Sequence, residues 1–320
     1  MLHFLKILYE SRPAPHPDLW EEVVAAAIER AVNKTDGRLK AISAYRKRLH
    51  GPVEAALRHT VRMVDRLPEP VEISPGRYAE DPKLRAIFAS AEHLSEVLGH
   101  FRTLREYLEG HSGLPPDQIF GLLSVAHKEK QTLGMEIDGD RVTRDVLQTV
   151  VTFGDHQFLA PNDAAEAARS ELTTQAFDFL LESAKESITA QKLRRGELSR
   201  QRQLLRRKLL SPVSDPAGTA DYGALEAEIA AIDEALGEFS GIELSLEESL
   251  QRLQAVLAEA ETWISLVPYQ AALDYRNVKT RSADTLMMDG LGSVNGLCRV
   301  VLFGFIPRLS LSHRTGHDRP

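Results

Sequence analysis

The stretch GALEAEIAAIDEALGEFSGIELSLEESLQRLQAVLAEAETWISL, Gly223–Leu266, decides how this chain is first read. Leu225, Ile229, Ile232, Leu236 and Phe239 follow spacings of four and three. After Glu243 the pattern resumes at Leu246, Leu250, Leu253, Leu257, Ala260 and Ile264. This is the apolar seam of a coiled-coil heptad, held for about 40 residues. An earlier segment, Ala164–Leu210, carries a matching seam. With residue i placed opposite residue 434 − i, Leu209 meets Leu225, Leu205 meets Ile229, Leu198 meets Leu236, Ile188 meets Leu246 and Leu181 meets Leu253. One register aligns both seams, which predicts an antiparallel helical hairpin with its tip at Ser211–Gly223.

Charge agrees with that register. Lys192–Lys208 holds eight basic residues and one acid, Glu197, whereas Gly223–Leu266 holds ten acids and one base, Arg252. The register predicts Lys208 opposite Glu226, Arg206 opposite Glu228 and Arg200 opposite Glu234. Such flanking pairs choose orientation more than they stabilise, at about 0–1 kcal/mol each. The basic run therefore reads as the complement of a neighbouring helix rather than as a nucleic-acid surface. A polar midpoint, with Gln191 facing Glu243, Arg195 facing Phe239 and Arg202 facing Ile232, reads as a register lock, with a hinge helped by Gly237 and Gly241 as the other reading.

Composition sets wider limits. The chain has 320 residues, 6% aromatics, a net charge of −7 and one cysteine, Cys298. Low aromatic content favours extended helices over a sheet sandwich. The acidic balance excludes a general polyanion binder. A single cysteine excludes an internal disulfide framework and a cysteine-based zinc site, and points to a reducing, cytoplasmic location. Met1–Glu10 (MLHFLKILYE) lacks the long apolar core and cleavage site of a secretory signal.

Along the chain, helices are expected from Asp18 to Ala31, from Arg38 to His50, over Val53–Leu67 and, as one long element, over Lys83–Glu109. Gly51-Pro52 reads as a stop. A short helix is expected from Leu114-Pro115-Pro116-Asp117 through Phe120, Leu123, Val125 and Ala126. A small β hairpin is expected around Asp138-Gly139-Asp140, flanked by Gly134–Ile137 and Val142–Gln157, with a short helix over Asp140–Val151 before a brief strand as the alternative. Leu286–Ile306 is apolar, but its densest part, Leu297–Ile306, is too short and includes Arg299. It reads as a buried strand or packing segment, with peripheral membrane contact and a membrane span as the lesser readings. The fold expected is mainly α, an all-α coiled-coil protein with a small β element. Its parts are a helical body at 1–133, a β element at 134–160, the hairpin at 161–267 and a C-terminal segment at 268–320.

Chemistry is sparse. His93, Glu96 and His100 share one helix face and are weak metal candidates, without the i, i+4 histidine pair of zinc-protease helices. Arg58, Arg62 and Arg66 form an i, i+4, i+8 stripe, and Arg46, Lys47 and Arg48 add to it, a pattern that can bind phosphates or an anionic membrane. His156 is the loop histidine best placed for chemistry. Asp289–Gly296 (DGLGSVNG) has Asn295 where a dinucleotide loop needs its third glycine. No motif implies a cofactor or a catalytic centre. The expectation is a non-enzymatic scaffold whose hairpin engages a partner protein, with homo-oligomers allowed. Binding of nucleic acid or an anionic membrane through the basic stripe is the alternative. The polar midpoint at Gln191, Arg195 and Glu243 is the hairpin position to test.

Overall fold

The continuous apolar run Ile119–Val125 (IFGLLSV) forms a strand and not the start of a helix. Both of its faces are covered. Ile119, Leu123 and Val125 share a core with Val300, Leu302 and Ile306, while Leu122, Ser124, Val301 and Phe303 are buried on the other face. A strand buried on both sides loses the alternation that marks a half-exposed one. The computed structural model describes residues 17–111, 116–138, 141–210, 222–237, 242–280, 283–293 and 296–314. It is 59% helix and 27% strand, so the expectation of a mainly α, all-α fold is wrong and the chain is mixed α/β.

The chain divides into two units. A sheet unit comprises Met1–Trp20, Arg58–Phe177 and Glu261–Pro320, and a helical unit comprises Glu21–Leu57 and Asp178–Ala260. The helices are α1 (Pro17–Thr35), α2 (Tyr45–Asp65), α3 (Pro82–Ile87), α4 (Ala91–His100), α5 (Arg102–Glu109), α6 (Ala165–Leu210), α7 (Tyr222–Gly237), α8 (Ile242–Ala258) and α9 (Ala260–Trp263). The strands are β1 (Val71–Glu72), β2 (Gln118–Asp138), β3 (Arg141–Asn162), β4 (Ser265–Ala272), β5 (Thr285–Ser293) and β6 (Gly296–Pro307).

In the sheet unit the strand order is β3-β2-β6-β5-β4, antiparallel throughout, with β1 added in parallel to β6. The hairpin expected around Asp138-Gly139-Asp140 is present, but as two strands of 21 and 22 residues and not as a small element. Leu286–Ile306 supplies β5 and β6, as a buried-strand reading requires.

The sheet curls into a half-barrel. Three bulges interrupt β2–β3, and each contains a β3 residue with positive φ: Asp145, Asp155 and Ala160. Two residues opposing one bend the bulged strand and increase its twist. The segment after β4 then returns to β3, where the Val151 N–H donates to the Asn277 carbonyl and the Lys279 N–H donates to the Thr149 carbonyl, both at 2.9 Å.

The expected single helix over Lys83–Glu109 is three short ones. Phe88 and Phe101 adopt extended backbone between them, and Asp81 and Ser90 cap α3 and α4 with side-chain oxygens. Breaking the helix lets Leu84, Phe88, Leu94, Phe101 and Leu104 all reach the core against the curved sheet. An unbroken 3.6-residue period would carry them along a straight line instead. On the opposite face the Arg169 guanidinium of α6 lies 4.4 Å above the Phe303 ring centroid and donates to the carbonyls of Val64, Leu67 and Pro68. It thus supplies donors to one carbonyl in the last turn of α2 and two in the segment that follows it.

In the helical unit, Gly51-Pro52 does not stop the helix, because α2 runs through Pro52. Proline cannot donate to the carbonyl four residues back. Here that carbonyl, of Arg48, accepts 2.8 Å from Gln254 Nε2 of α8. The Arg48 guanidinium also pairs with Glu247. Arg30 and Lys34 of α1 grip Asp178 of α6 at 2.5 and 2.6 Å. Leu181, Ala184 and Ile188 of α6 are buried, as are Leu250, Leu253 and Val256 of α8, and Arg252 Nε donates to Ser187 Oγ at 2.6 Å.

Farther along, Leu198 and Leu205 pack with Leu225, Ile229, Ile232 and Leu236 of α7, the seam the heptads predict. The ion pairs differ from those expected. Arg202 and Arg206 both bind Asp233, and Arg200 binds Glu197 of its own helix. Arginine side chains reach along the helix, so one well-placed carboxylate collects two of them. The Glu243 side chain, Phe239 and the tip at 211–221 lie outside the described residues.

Gly121 and Gly304 face each other across β2 and β6. A Cβ on Gly304 would lie 2.5 Å from the Val71 carbonyl oxygen of β1, and one on Gly121 would lie 2.6 Å from the Phe158 ring. Gly304→Ala should therefore cost about 1–3 kcal/mol by forcing β1 away, seen as a lower urea midpoint at unchanged m. A wild-type midpoint would show that β1 moves aside freely.

Candidate functional site

Of the six cations expected to form a phosphate surface, three lie in each unit. Arg46 is held by Glu29 and Arg48 by Glu247, both in the helical unit, while Lys47 is exposed. In the sheet unit Arg58 stacks 4.9 Å from the Trp20 ring, and Arg62 and Arg66 are exposed. Burial raises the Asp289 carboxyl, and Lys83 and Arg66 partly offset that rise. Each unit by itself thus leaves few exposed cations without an ion pair in this set, Lys47 in one and Arg62 and Arg66 in the other, and nonspecific affinity scales with the number of phosphates neutralised.

The histidine face is extended by tertiary structure. Asp155 and His156 form the β3 bulge opposite Val125. The bulge turns the His156 ring onto Phe88, stacked at 4.9 Å, and brings it 5.7 Å from the His93 ring. His93, Glu96, His100 and His156 then line one cleft of about 290 Å³. Backbone contacts set the neutral tautomers. His93 Nδ1 accepts from the Ala89 N–H, and the nitrogens of His156 (Nε2) and His100 (Nδ1) donate to the carbonyls of Ile87 and Glu96. Burial pushes the His156 imidazole below the ordinary histidine value, against the opposing effect of the Ile87 carbonyl. Among the described residues, no three histidine, cysteine or carboxylate side chains are grouped to hold a metal ion. The cleft offers hydrogen-bonding imidazoles rather than a converging ligand set.

A second polar cluster, inside the curl, joins residues remote in sequence. His127 of β2 and Tyr269 of β4 meet with ring centroids 5.1 Å apart, beside Phe153. His127 Nε2 donates to Glu129, which Lys279 binds at 2.6 Å. His127 Nδ1 and the Tyr269 hydroxyl are buried and have no hydrogen-bond partner among the described residues. Burial, reinforced by Glu129, raises the Tyr269 hydroxyl to about 12, so it stays protonated. No sequence signal marks this pair, because β2 and β4 are not neighbours in the sheet and meet only through its curvature.

The arm of the helical unit is the third region. Lys192 binds Asp36 at 3.2 Å. From Leu193 to Leu210, α6 continues for about 27 Å at 1.5 Å per residue and packs against α7. Leu193, Leu204 and Leu210 are exposed there at 71%, 49% and 80%. Arg194, Arg207 and Lys208 of α6 and Glu226, Glu228 and Glu234 of α7 are not in ion pairs among the described residues. Of the polar midpoint, Gln191 and Arg195 are half-buried.

No protein-family model, curated protein or solved structure matches this chain. Among the described residues, no helix is long and apolar enough to cross a membrane. Asp289–Ser293 belongs to β5 and Gly296 begins β6, so a strand takes the place of the helix that a dinucleotide loop requires. Val300–Phe303 is buried within the sheet.

Two outcomes test these clusters. Tyr269→Phe removes a buried unpaired hydroxyl and should raise stability by about 1 kcal/mol or leave it unchanged. A loss above that in denaturant titration would mean that the hydroxyl has a partner. For His156 the folded value lies below the unfolded one, so the unfolded chain binds more protons as pH falls through about 6.5. Stability should fall on acidification from about pH 7.5 to 5.5, and His156→Phe, which keeps the stack on Phe88, should flatten that slope. An unchanged slope would place the titration elsewhere.

Proposed function

We propose that this protein is a non-enzymatic cytoplasmic scaffold that binds a partner protein through the arm formed by α6 and α7. The observation that carries the reading is the arm's surface. Large apolar side chains stand exposed among cations and carboxylates on a packed two-helix element. Exposed leucines grouped with charge are the composition of a binding face, since apolar anchors supply affinity and rim charges supply orientation. The single cysteine fits a reducing compartment.

A protein partner is favoured over nucleic acid for a reason of sign. Basic residues of α6 lie beside Glu226, Glu228, Asp233 and Glu234 of α7, so a polyanion would meet repulsion along the same element. The remaining cations of the expected phosphate set, Lys47, Arg62 and Arg66, are few.

Replacing residues 193–237 with a short flexible linker tests the reading. The shortened chain should retain its circular dichroism per residue outside the arm and its cooperative unfolding. It should lose the cross-links that the intact chain forms in cells of its native source. Cross-links retained by a folded, arm-less chain would refute arm-mediated binding.

A further inference from the structure

The two helices of the arm have unlike surfaces on the same flank. In an α-helix successive residues turn by about 100°. On α6, taking the seam of Leu198, Leu205 and Leu209 as reference, Arg194, Gln201, Leu204 and Lys208 fall on one flank. On α7, with Leu225, Ile229, Ile232 and Leu236 as its seam, Ala224, Glu228, Ala231 and Ala235 fall on the corresponding flank. The opposite flank is where Arg206 meets Asp233, which checks the assignment. On the first flank Leu204 is 49% exposed and Ala224, Glu228 and Ala231 are exposed. Arg194, Lys208 and Glu228 are not in ion pairs among the described residues. One helix thus offers a large apolar side chain with cations, and the other offers small side chains with a carboxylate.

These surfaces complement each other in size and in sign. They cannot meet within one arm, because they lie side by side. Resting on the reading of the arm as the binding element, we propose that this flank docks against the same flank of a second copy of the chain. The two arms run parallel about a twofold axis along their length. Each α6 then lies antiparallel to the α7 of the other copy, and the pairing repeats the register within the arm. Leu204 covers Ala231 of the second copy, and Lys208 reaches Glu228 of the second copy. The twofold makes each contact twice, and the interface closes without leaving a free face for further copies. Two helices become four, which adds a second seam to an arm whose buried core holds Leu205, Ile232 and Leu236.

Sedimentation and light scattering of the full chain give the test. A species of twice the 35.6 kDa chain mass is expected at micromolar concentration, weakening from about 50 mM to about 500 mM salt as its ion pairs are screened. Leu204→Glu and Lys208→Glu should each raise the dimer dissociation constant by at least about tenfold. A charge swap distinguishes this interface from a general loss of structure. K208E alone and E228K alone should each be weakened by like charges facing each other. An equimolar mixture of the two should recover dimers containing one of each. A monomer at all concentrations, or a dimer indifferent to both substitutions and to mixing, overturns the proposal. Partner cross-links lost on arm deletion in a chain that is monomeric would leave the scaffold reading standing while removing the second copy.

Discussion

The Arg299 guanidinium holds the bend on which the sheet unit depends. Its Nε donates to Ser124 Oγ at 2.6 Å, one terminal nitrogen to Asp155 Oδ2 at 2.7 Å, and the other to the carbonyls of Ser124 and Asp155. Ser124 is fully buried, so an unmet hydroxyl there would cost on the order of 1–3 kcal/mol. Arg299 also holds the Asp155 carboxyl below the usual carboxylate range. One planar cation thereby ties the centre of β6 to β2 and to the bulge in β3. The bulge re-aims His156, and the bent β3 accepts the returning segment at Asn277 and Lys279. The cleft histidines and the His127–Tyr269 pair therefore depend on the same curvature.

The helical unit solves a different problem by similar means. Pro52 removes a backbone donor in mid-helix, and Gln254 restores the bond from a neighbouring helix. Asp178 gathers Arg30 and Lys34. Burial raises its carboxyl, but the two cations outweigh that and hold it low. These polar links position α6 and α8, while Leu181, Ala184, Leu250 and Leu253 supply the buried apolar area. The arm beyond them has a thinner core and more exposed leucine, a division of labour between holding the helices and presenting them.

How much was legible follows from the range of each interaction. The seam residues Leu198 and Leu205 of α6 and Leu225, Ile229, Ile232 and Leu236 of α7 were readable, because heptad spacing is a local property. The antiparallel pairing of β2 with β3 was marked by the sequence Asp138-Gly139-Asp140. The ion pairs of the arm were readable only in sign, since flexible arginines choose among carboxylates in three dimensions. Gly51-Pro52 misled because its remedy, Gln254, lies about 200 residues away. Ile119–Val125 misled because burial on both faces erases periodicity. Among candidate site residues, the one-face placement of His93, Glu96 and His100 was visible on the helix, but the arrival of His156 was not.

Local repeats in the sequence were enough for the seam of α6 with α7 and for the opposed charge of the two helices, both of which arise within a few turns. The sequence also carried the excess of cation on one helix and carboxylate on the other. Only the tertiary structure decided that the fold is mixed, that the sheet curls, and that Pro52 is accommodated. It alone brought His156 to His93 and His127 to Tyr269. The physical reason is that strand pairing, bulges and buried polar contacts join residues far apart in the chain, whereas the heptad is written within it.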